Sequence, residues 1–424
     1  MRILVYPHTM EVGGSQLNAI ELAEAVRDLG HEVMLVSDPG PLVERVKAAG
    51  LEHVELDTAR RRPDPATVRL LRRLVAERGI DVVHGYEWPP GLEAYFATFG
   101  RSPAAAVCTV MSSGVAPFLP RELPLIVGTE ELRAREAARR DDVRLIEPPV
   151  DVVANAPGHP SEEFRKRFGL GDDRLDIVVV CRLVPELKLE GLLTAVEVVG
   201  RLAAELPVRL VVVGDGAARD QVESRAAEAN ARAGERVVVL TGELFDPRPA
   251  YASGAVAIGM GGSALRALAF GCPLVVQGEA GFFELLTPET VDRFLTGGWY
   301  GLGNGPAEGA RRLEEALRPL LTDAKLRAEL GAFGRSLVVE RFSLERAARV
   351  QEGIYRDALD RAGSRASLRS AAASSAAVFG YKVRRKYARA RGRAPADDFN
   401  AVAKNAVAKN AVAKNVAGKN AVGK

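Results

Sequence analysis

The sequence predicts an α/β protein of two successive doubly wound domains, with a basic low-complexity tail behind them. Three observations carry this. Short apolar, β-branched runs alternate with helical stretches from residue 2 to about 130, the alternation restarts after a proline-rich break at 148–163, and it stops near residue 362. At 424 residues the chain can hold two domains of the usual roughly 100–200 residues and a further segment.

The first run, RILVYP (2–7), is apolar almost throughout, as a parallel strand buried on both faces should be. A Gly13-Gly14-Ser15 turn follows. Leu17, Ile20, Leu22, Ala25 and Val26 then recur near a helical period until Gly30, and EVMLVS (32–37) completes a βαβ unit. Further strands are read at 81–84, 105–111 and 125–129. PPVDVVANAPGHPSEE (148–163) reads as an interdomain linker. The second array places strands at 176–182, 208–216, 236–242, 255–260 and 273–278, with helices around 188–205 and from Ser263. Both arrays are Rossmann-like. Two such domains are expected to face a cleft, with a ligand at the carboxyl ends of their strands.

Composition narrows the classes. Hydrophobic residues make up 47% and charged residues 27%, which suits a globular core. Cys108, Cys181 and Cys272 show no CxxC spacing and read as core residues in a reducing compartment. No run approaches the roughly 18 apolar residues of a membrane helix, and the N-terminus lacks a signal-peptide pattern. A cytoplasmic location is expected, with contact to the inner face of a membrane left open.

The net charge of +3 hides an asymmetry, because residues 361–424 hold fifteen Lys and Arg against Asp397 and Asp398, leaving −10 on the first 360 residues. Within the tail, 363–379 is rich in Ala and Ser, 381–393 has seven cations and no acid, and the pentad AVAKN repeats with drift from Ala401. A five-residue period matches neither helix nor strand, so a disordered tail is expected from 363 to 424. Its cations, with Tyr381 and Tyr387 among them, suit an anionic membrane surface. Nucleic acid is the weaker alternative, and a merely solubilising tail stays open.

From Met1 to about Leu359 the order of motifs resembles the family-4 glycosyltransferases of the GT-B fold. VGGSQLNAIELAEAVRDLGHEV (12–33) is similar to the family's opening glycine pair and helix. DVVHGYEWPPGLEA (81–94) is similar to its strand-end His and aromatic loop, and IEPPVD (146–151) stands at its "I-P-N-G-V-D" turn. VVVCRLVPELKLEGLL (178–193) resembles the start of the second domain, and GDG (214–216), VVLTG (238–242) and ALAFGCPLVV (267–276) keep the family order. RFSLERAARVQEGIYRDAL (341–359) resembles the closing helix that returns to the first domain. The implied divisions are 1–155, 156–342, 343–362 and the tail.

The resemblance implies a retaining transfer of a sugar from a nucleoside-diphosphate sugar to an acceptor hydroxyl on a glycan or a lipid-linked acceptor. The pathway it suggests is synthesis of envelope glycan or glycolipid. No cofactor is implied, and without a DxD motif no obligatory divalent metal is expected. Charge grows on the leaving diphosphate, so cations at a strand end are the residues to seek. Arg182 and Lys188 fit, a planar fork and a point charge six residues apart, although on residue type alone they also read as a solvated pair. Gly261, Gly262 and Ser263 open a helix whose amides would meet a phosphate, and Gly13 and Gly14 do the same in the first domain; either loop also reads as a plain turn. Glu243 and Leu244 stand where the family's backbone contacts the base.

The departures are specific. The family's two glutamates fall at Ile258 and Arg266, its fifth-strand His at Met111, and the second His of its HxH stretch at Tyr86. Sugar recognition is therefore rebuilt or lost. Arg266 could bind phosphate or a donor carboxylate, or lie idle on the surface. Glu284 and Glu279 could recognise hydroxyls or be exposed loop acids, and His84 could face the ligand or be a core residue. A nucleotide-sugar sensor or scaffold without turnover is the rival reading, and a sugar-nucleotide epimerase a distant third.

Overall fold

The computed structural model describes residues 1–57, 62–100, 102–112, 114–362 and 368–391. The chain divides into two compact units, Met1–Glu147 with Ala347 onward, and Pro148–Arg346.

Unit 1 alternates β1 (Arg2–Tyr6), α1 (Gly14–Asp28), β2 (Glu32–Ser37), α2 (Val43–Ala48), β3 (Glu52–Glu55), α3 (Pro65–Arg78), β4 (Val82–Tyr86), α4 (Trp88–Thr98), β5 (Ala105–Val110), β6 (Leu125–Val127), α5 (Glu130–Ala137) and β7 (Val143–Leu145). The seven strands are all parallel, in the order β3-β2-β1-β4-β5-β6-β7. Chain direction across the sheet reverses between β1 and β4, and ligands of such sheets gather beyond the carboxyl ends there. Continuous apolar runs make this possible, since Ile3, Leu4, Val5, Val82 and Val83 are all buried.

Unit 2 runs α6 (Glu162–Phe168), β8 (Leu175–Val180), α7 (Leu189–Leu202), β9 (Val208–Val213), α8 (Arg219–Ala233), β10 (Val238–Gly242), α9 (Arg248–Ser253), β11 (Val256–Gly259), α10 (Gly262–Ala269), β12 (Leu274–Gln277), β13 (Phe283–Leu285), α11 (Val291–Gly297), α12 (Gly309–Thr322) and α13 (Ala324–Arg341). Its sheet has the order β10-β9-β8-β11-β12-β13, with only β13 antiparallel. The switch point falls between β8 and β11. Residues 148–155, expected in a linker, belong to unit 2. Val150 sits in the core, its amide donates to the Phe342 carbonyl and its own carbonyl accepts from Leu344, while Arg335 donates to the Val152 and Asn155 carbonyls.

Helix α14 (Leu344–Asp360) buries Ala347, Ala348, Gln351, Ile354, Tyr355 and Ala358 on one stripe. The tail needs a correction. Leu368–Ala390 forms a helix, α15, where disorder was expected; residues 363–367 and 392–424 lie outside the described residues. Ala, Lys and Arg are strong helix formers. Ala371, Ser374 and Val378 are buried at helical spacing, and Tyr381 packs against Phe118 and Trp88 with ring centroids 5.2 and 6.0 Å apart. Ser370 also donates to Glu122 at 2.7 Å.

Candidate functional site

At the carboxyl end of β8 the chain passes through Cys181, Arg182 and Leu183. Two glycines of the neighbouring GDG loop hold this segment in place. A Cβ on Gly214 (φ +138°) would stand 1.9 Å from the Cys181 carbonyl oxygen, and one on Gly216 (φ +151°) 2.4 Å from that of Leu183. The bare backbones pack instead, with the Leu183 amide donating to the Asp215 carbonyl and the Ala218 amide to the Leu183 carbonyl. Arg182, between these anchors, is exposed.

The chain then turns through Leu187, a non-glycine residue at φ +66°, into Lys188, which caps α7. A left-handed Leu is a strained conformation of the kind that collects at ligand sites. Burial lowers the pKa of Lys188 from the ordinary lysine value; the Cys181 thiol opposes that shift, and the Arg182 charge adds to it. Cys181 is pushed up to about 11 by the same burial, so its thiol is neutral at pH 7. No carboxylate among the described residues pairs with Arg182 or Lys188. Most arginines of this unit are paired, so two adjoining cations without a partner form an anion-ready spot.

The positioning groups around Lys188 are tertiary. Gln277, buried at the end of β12, donates to the Lys188 carbonyl at 3.4 Å, and Gly191 leaves the space its amide occupies. Glu190, in the first turn of α7, accepts from the amides of Gly281 at 2.6 Å and Ala280 at 3.2 Å, and so fixes the loop after β12. Sequence reasoning passed over both. Only the acid in the first helical turn was a local signal for Glu190.

Across the switch point, β11 ends at Gly259 and α10 begins at Gly262. Gly261 adopts φ +56°, and its amide is already donated to the Trp299 carbonyl at 2.7 Å, so it is not available to a ligand. Ser263 Oγ donates to the Met260 carbonyl at 3.0 Å and shapes the turn. The backbone amides of Gly262 and Ser263 have no partner among the described residues and lie in the first turn of the helix, where a partial positive charge collects. A Cβ on Gly262 would stand 3.3 Å from Arg266 Nη1, which places that guanidinium beside the same amides. β11 pairs parallel with β8, Val256 with Ile177 and Ala257 with Val178, so the carboxyl ends of the two strands lie side by side.

Ile258 is buried inside β11, in the core of unit 2. Glu243 is exposed after β10, while Leu244 packs on the core beside Val213 and Ala250. Neither Glu279 nor Glu284 is an exposed loop acid. Glu279 accepts from Tyr300 Oη at 2.6 Å, and Glu284 lies on β13, half-buried, with Arg293 Nη1 at 2.6 Å.

In unit 1, Gly13 caps α1 in an extended conformation and a Cβ there would meet Gln16 Oε1 at 2.5 Å, whereas one on Gly14 would meet nothing within 4 Å. His84 is fully buried, with Nδ1 2.7 Å from Tyr355 Oη and Nε2 2.7 Å from Thr109 Oγ1. Burial lowers its pKa to about 3. It is a satisfied core residue that ties α14 to the sheet. Tyr86 is buried next to it, with ring centroids 4.5 Å apart. At the end of β4, Glu87 takes φ +70° and accepts from the amides of Met111 at 3.0 Å and Ser112 at 3.2 Å.

Comparison with known proteins agrees with this architecture. A model of "Glycosyltransferase Family 4" matches residues 12–125, and one of "Glycosyl transferases group 1" matches residues 174–323. A phosphatidyl-myo-inositol mannosyltransferase of Mycolicibacterium smegmatis is 37% identical over 95 residues, 20% of this chain and 25% of that relative, so the match spans a quarter of the relative's length. Among solved structures, a glycosyltransferase from Rickettsia africae ESF-5 superposes with a TM-score of 0.66 at 18% identity, covering 84% of this chain and 98% of that one. Anabaena Alr3699/HepE in complex with UDP follows at 0.64 and 14%, covering 84% and 100%. Each unit carries one of the two family segments, in order, on the expected fold: the chain belongs to the family-4 glycosyltransferases of the GT-B fold.

Proposed function

We propose that the protein moves a sugar from a nucleoside-diphosphate sugar to an acceptor hydroxyl, with unit 2 holding the leaving diphosphate. The observation that carries the reading is the pair Arg182 and Lys188, two cations without a carboxylate partner among the described residues, at the switch point of the sheet. In the transfer, the acceptor oxygen bonds to the anomeric carbon as the bond from that carbon to the β-phosphate oxygen breaks. The electron pair stays on the diphosphate, and the acceptor proton passes to the leaving phosphate oxygen. Attack on the face of departure retains the anomeric configuration, in keeping with the family resemblance. Negative charge grows on that diphosphate, and Arg182, Lys188 and the amides of Gly262 and Ser263 are the groups we assign to answer it, in the transition state more than in the ground state.

Arg266 stands beside those amides, where it suits a phosphate or a carboxylate on the donor sugar. Gly14, where a Cβ would find open space, suits close approach of a ligand to unit 1. Glu243 and Leu244 would meet the base. HepE binds UDP, which makes UDP-sugars the first donors to try, and the mannosyltransferase name pairs a sugar with a lipid acceptor. An envelope glycan or glycolipid hydroxyl is the acceptor class we favour.

Ile258 and Arg266 favour one rival, a nucleotide-sugar sensor or scaffold, because neither supplies a carboxylate for sugar hydroxyls. Release of nucleoside diphosphate from a donor panel, with and without glycolipid acceptors, separates the two. Turnover that falls in Arg182→Ala and Lys188→Ala supports transfer. Nucleotide binding with no turnover on any donor supports the sensor, and turnover untouched by both substitutions removes unit 2's assignment.

A further inference from the structure

Helix α15 is held to unit 1 through one face. Ala371, Ser374 and Val378 are buried there, and Tyr381 packs on Trp88 and Phe118. A different face is bare. Phe379, Val383 and Tyr387, spaced by four, are 72%, 52% and 57% exposed, and Leu368, three turns earlier on the same stripe, is 78% exposed. Exposed cations border this stripe, Lys382 and Lys386 along one side and Arg384 along the other. The Arg391 guanidinium lies 4.0 Å from the Tyr387 ring centroid. Between Leu368 and Arg391 the sequence contains no Asp or Glu. No carboxylate among the described residues pairs with Lys382, Arg384, Lys386 or Arg389.

An apolar stripe flanked by cations on a helix docked through its other side is the pattern of a helix lying in a membrane interface. A second copy of the chain would bring like charges together. A nucleic acid would gain little from Val383 and Leu368, which offer no ring for a base to stack on. Among the described residues no helix is long and apolar enough to cross a membrane, so the pattern is one of resting on the surface.

We propose that Phe379, Val383 and Tyr387 seat α15 on an anionic phospholipid surface, with Lys382, Arg384 and Lys386 at the level of the headgroups. The stripe would thereby fix which side of unit 1 faces the lipid. The inference is independent of which donor unit 2 accepts.

The test is co-sedimentation of the full chain with vesicles of phosphatidylcholine alone or mixed equally with phosphatidylglycerol. The wild type should partition onto the mixed vesicles and far less onto phosphatidylcholine. The triple variant Phe379→Ser, Val383→Ser, Tyr387→Ser keeps every charge, including those of residues 392–424, and should lose roughly tenfold or more of that partition with an unchanged melting temperature. A Phe379→Trp variant should show a blue shift in emission when mixed vesicles are added. Three results would overturn the proposal: a triple variant that binds like the wild type, an emission of the Phe379→Trp variant that does not move, or a wild type that binds a single-stranded oligonucleotide or dimerises but ignores vesicles.

Discussion

The two units share one fold, and they differ in how the end of β4 in unit 1 and the end of β8 in unit 2 answer their polar groups. At the end of β4 in unit 1, polar side chains are consumed internally: His84 has both nitrogens bonded, and Glu87 holds the amides of Met111 and Ser112, although Ser15 Oγ, buried in the first turn of α1, has no hydrogen-bond partner among the described residues. Tyr6 donates to Glu93, which also accepts from the Asp64 amide. At the strand ends of unit 2, Arg182, Lys188 and the amides of Gly262 and Ser263 have no partner in the described chain. Burying a cation such as Lys188 costs stability unless something answers its charge. A strand-end position does not itself make a ligand group. The site proposed in unit 2 adds two cations that no carboxylate among the described residues answers.

The largest effect should come from unit 2. Arg182→Ala and Lys188→Ala should each lower transfer by about 10²–10³, the cost of removing one preset donor to a developing anion. The apoprotein should not suffer. Because folding lowers the Lys188 pKa, its charged form is less stable folded than unfolded at neutral pH, so Lys188→Ala should hold or raise the melting temperature. A lysine substitution that lowers both turnover and apo stability would show that Lys188 supports the fold of unit 2.

The reverse is expected in unit 1. His84→Ala leaves Tyr355 and Thr109 without their buried partner and opens a cavity, so it should cost roughly 2–5 kcal/mol by denaturant titration, with turnover per folded molecule retained. The pH dependence has a definite sign. The folded His84 pKa is about 3 against 6.5 unfolded, so the unfolded state binds the proton first on acidification. Stability from this residue is present above about pH 6.5 and falls by roughly 1.4 kcal/mol per unit below it, toward pH 3. His84→Gln should flatten that slope. A slope unchanged by the substitution would show that His84 is not the titrating core group.

A bound diphosphate should restore the charged form of Lys188, so in alkaline buffer nucleotide binding should take up protons, seen as a binding heat that depends on the buffer's ionisation enthalpy. The uptake should vanish in Lys188→Ala. The smallest effect is expected of Glu284→Gln, which loses an ion pair with a largely exposed Arg293 and should change stability by no more than about 1 kcal/mol. A donor KM unchanged by it would mark Glu284 as structural; a rise would return it to hydroxyl recognition.

Much of this was legible in residue order. The β-branched runs of β1, β8 and β9 and the glycines at 214 and 216 announce buried parallel strands and tight loops, and Arg182 with Lys188 could be named from their place after a strand. What was not legible is tertiary. EHVE of β3 and VRL of β7 are too short and polar to show a period, and FEL of β13 follows a glycine turn that reads as loop. Helix α15 was missed because its buried stripe consists of Ala371, Ser374 and Val378, whose small side chains give almost no hydrophobic signal among neighbours of the same kind. Glu190 and Gln277 act through backbone groups 90 or so residues away, and no local pattern points to them. His84 had two readings, and only its bonds to Tyr355 and Thr109 decide between them.

Binding of a nucleoside diphosphate to unit 2 through Arg182 and Lys188 is the proposal on which the function rests. Its most direct test is thermal denaturation of the wild type and the double variant Arg182→Ala, Lys188→Ala with UDP, GDP, ADP or TDP, with and without magnesium. One nucleotide at about 100 times its dissociation constant should stabilise the wild type by roughly 2.7 kcal/mol. The wild type should show that shift and the double variant should lose it. No shift with any nucleotide, or an equal shift in both proteins, would contradict it.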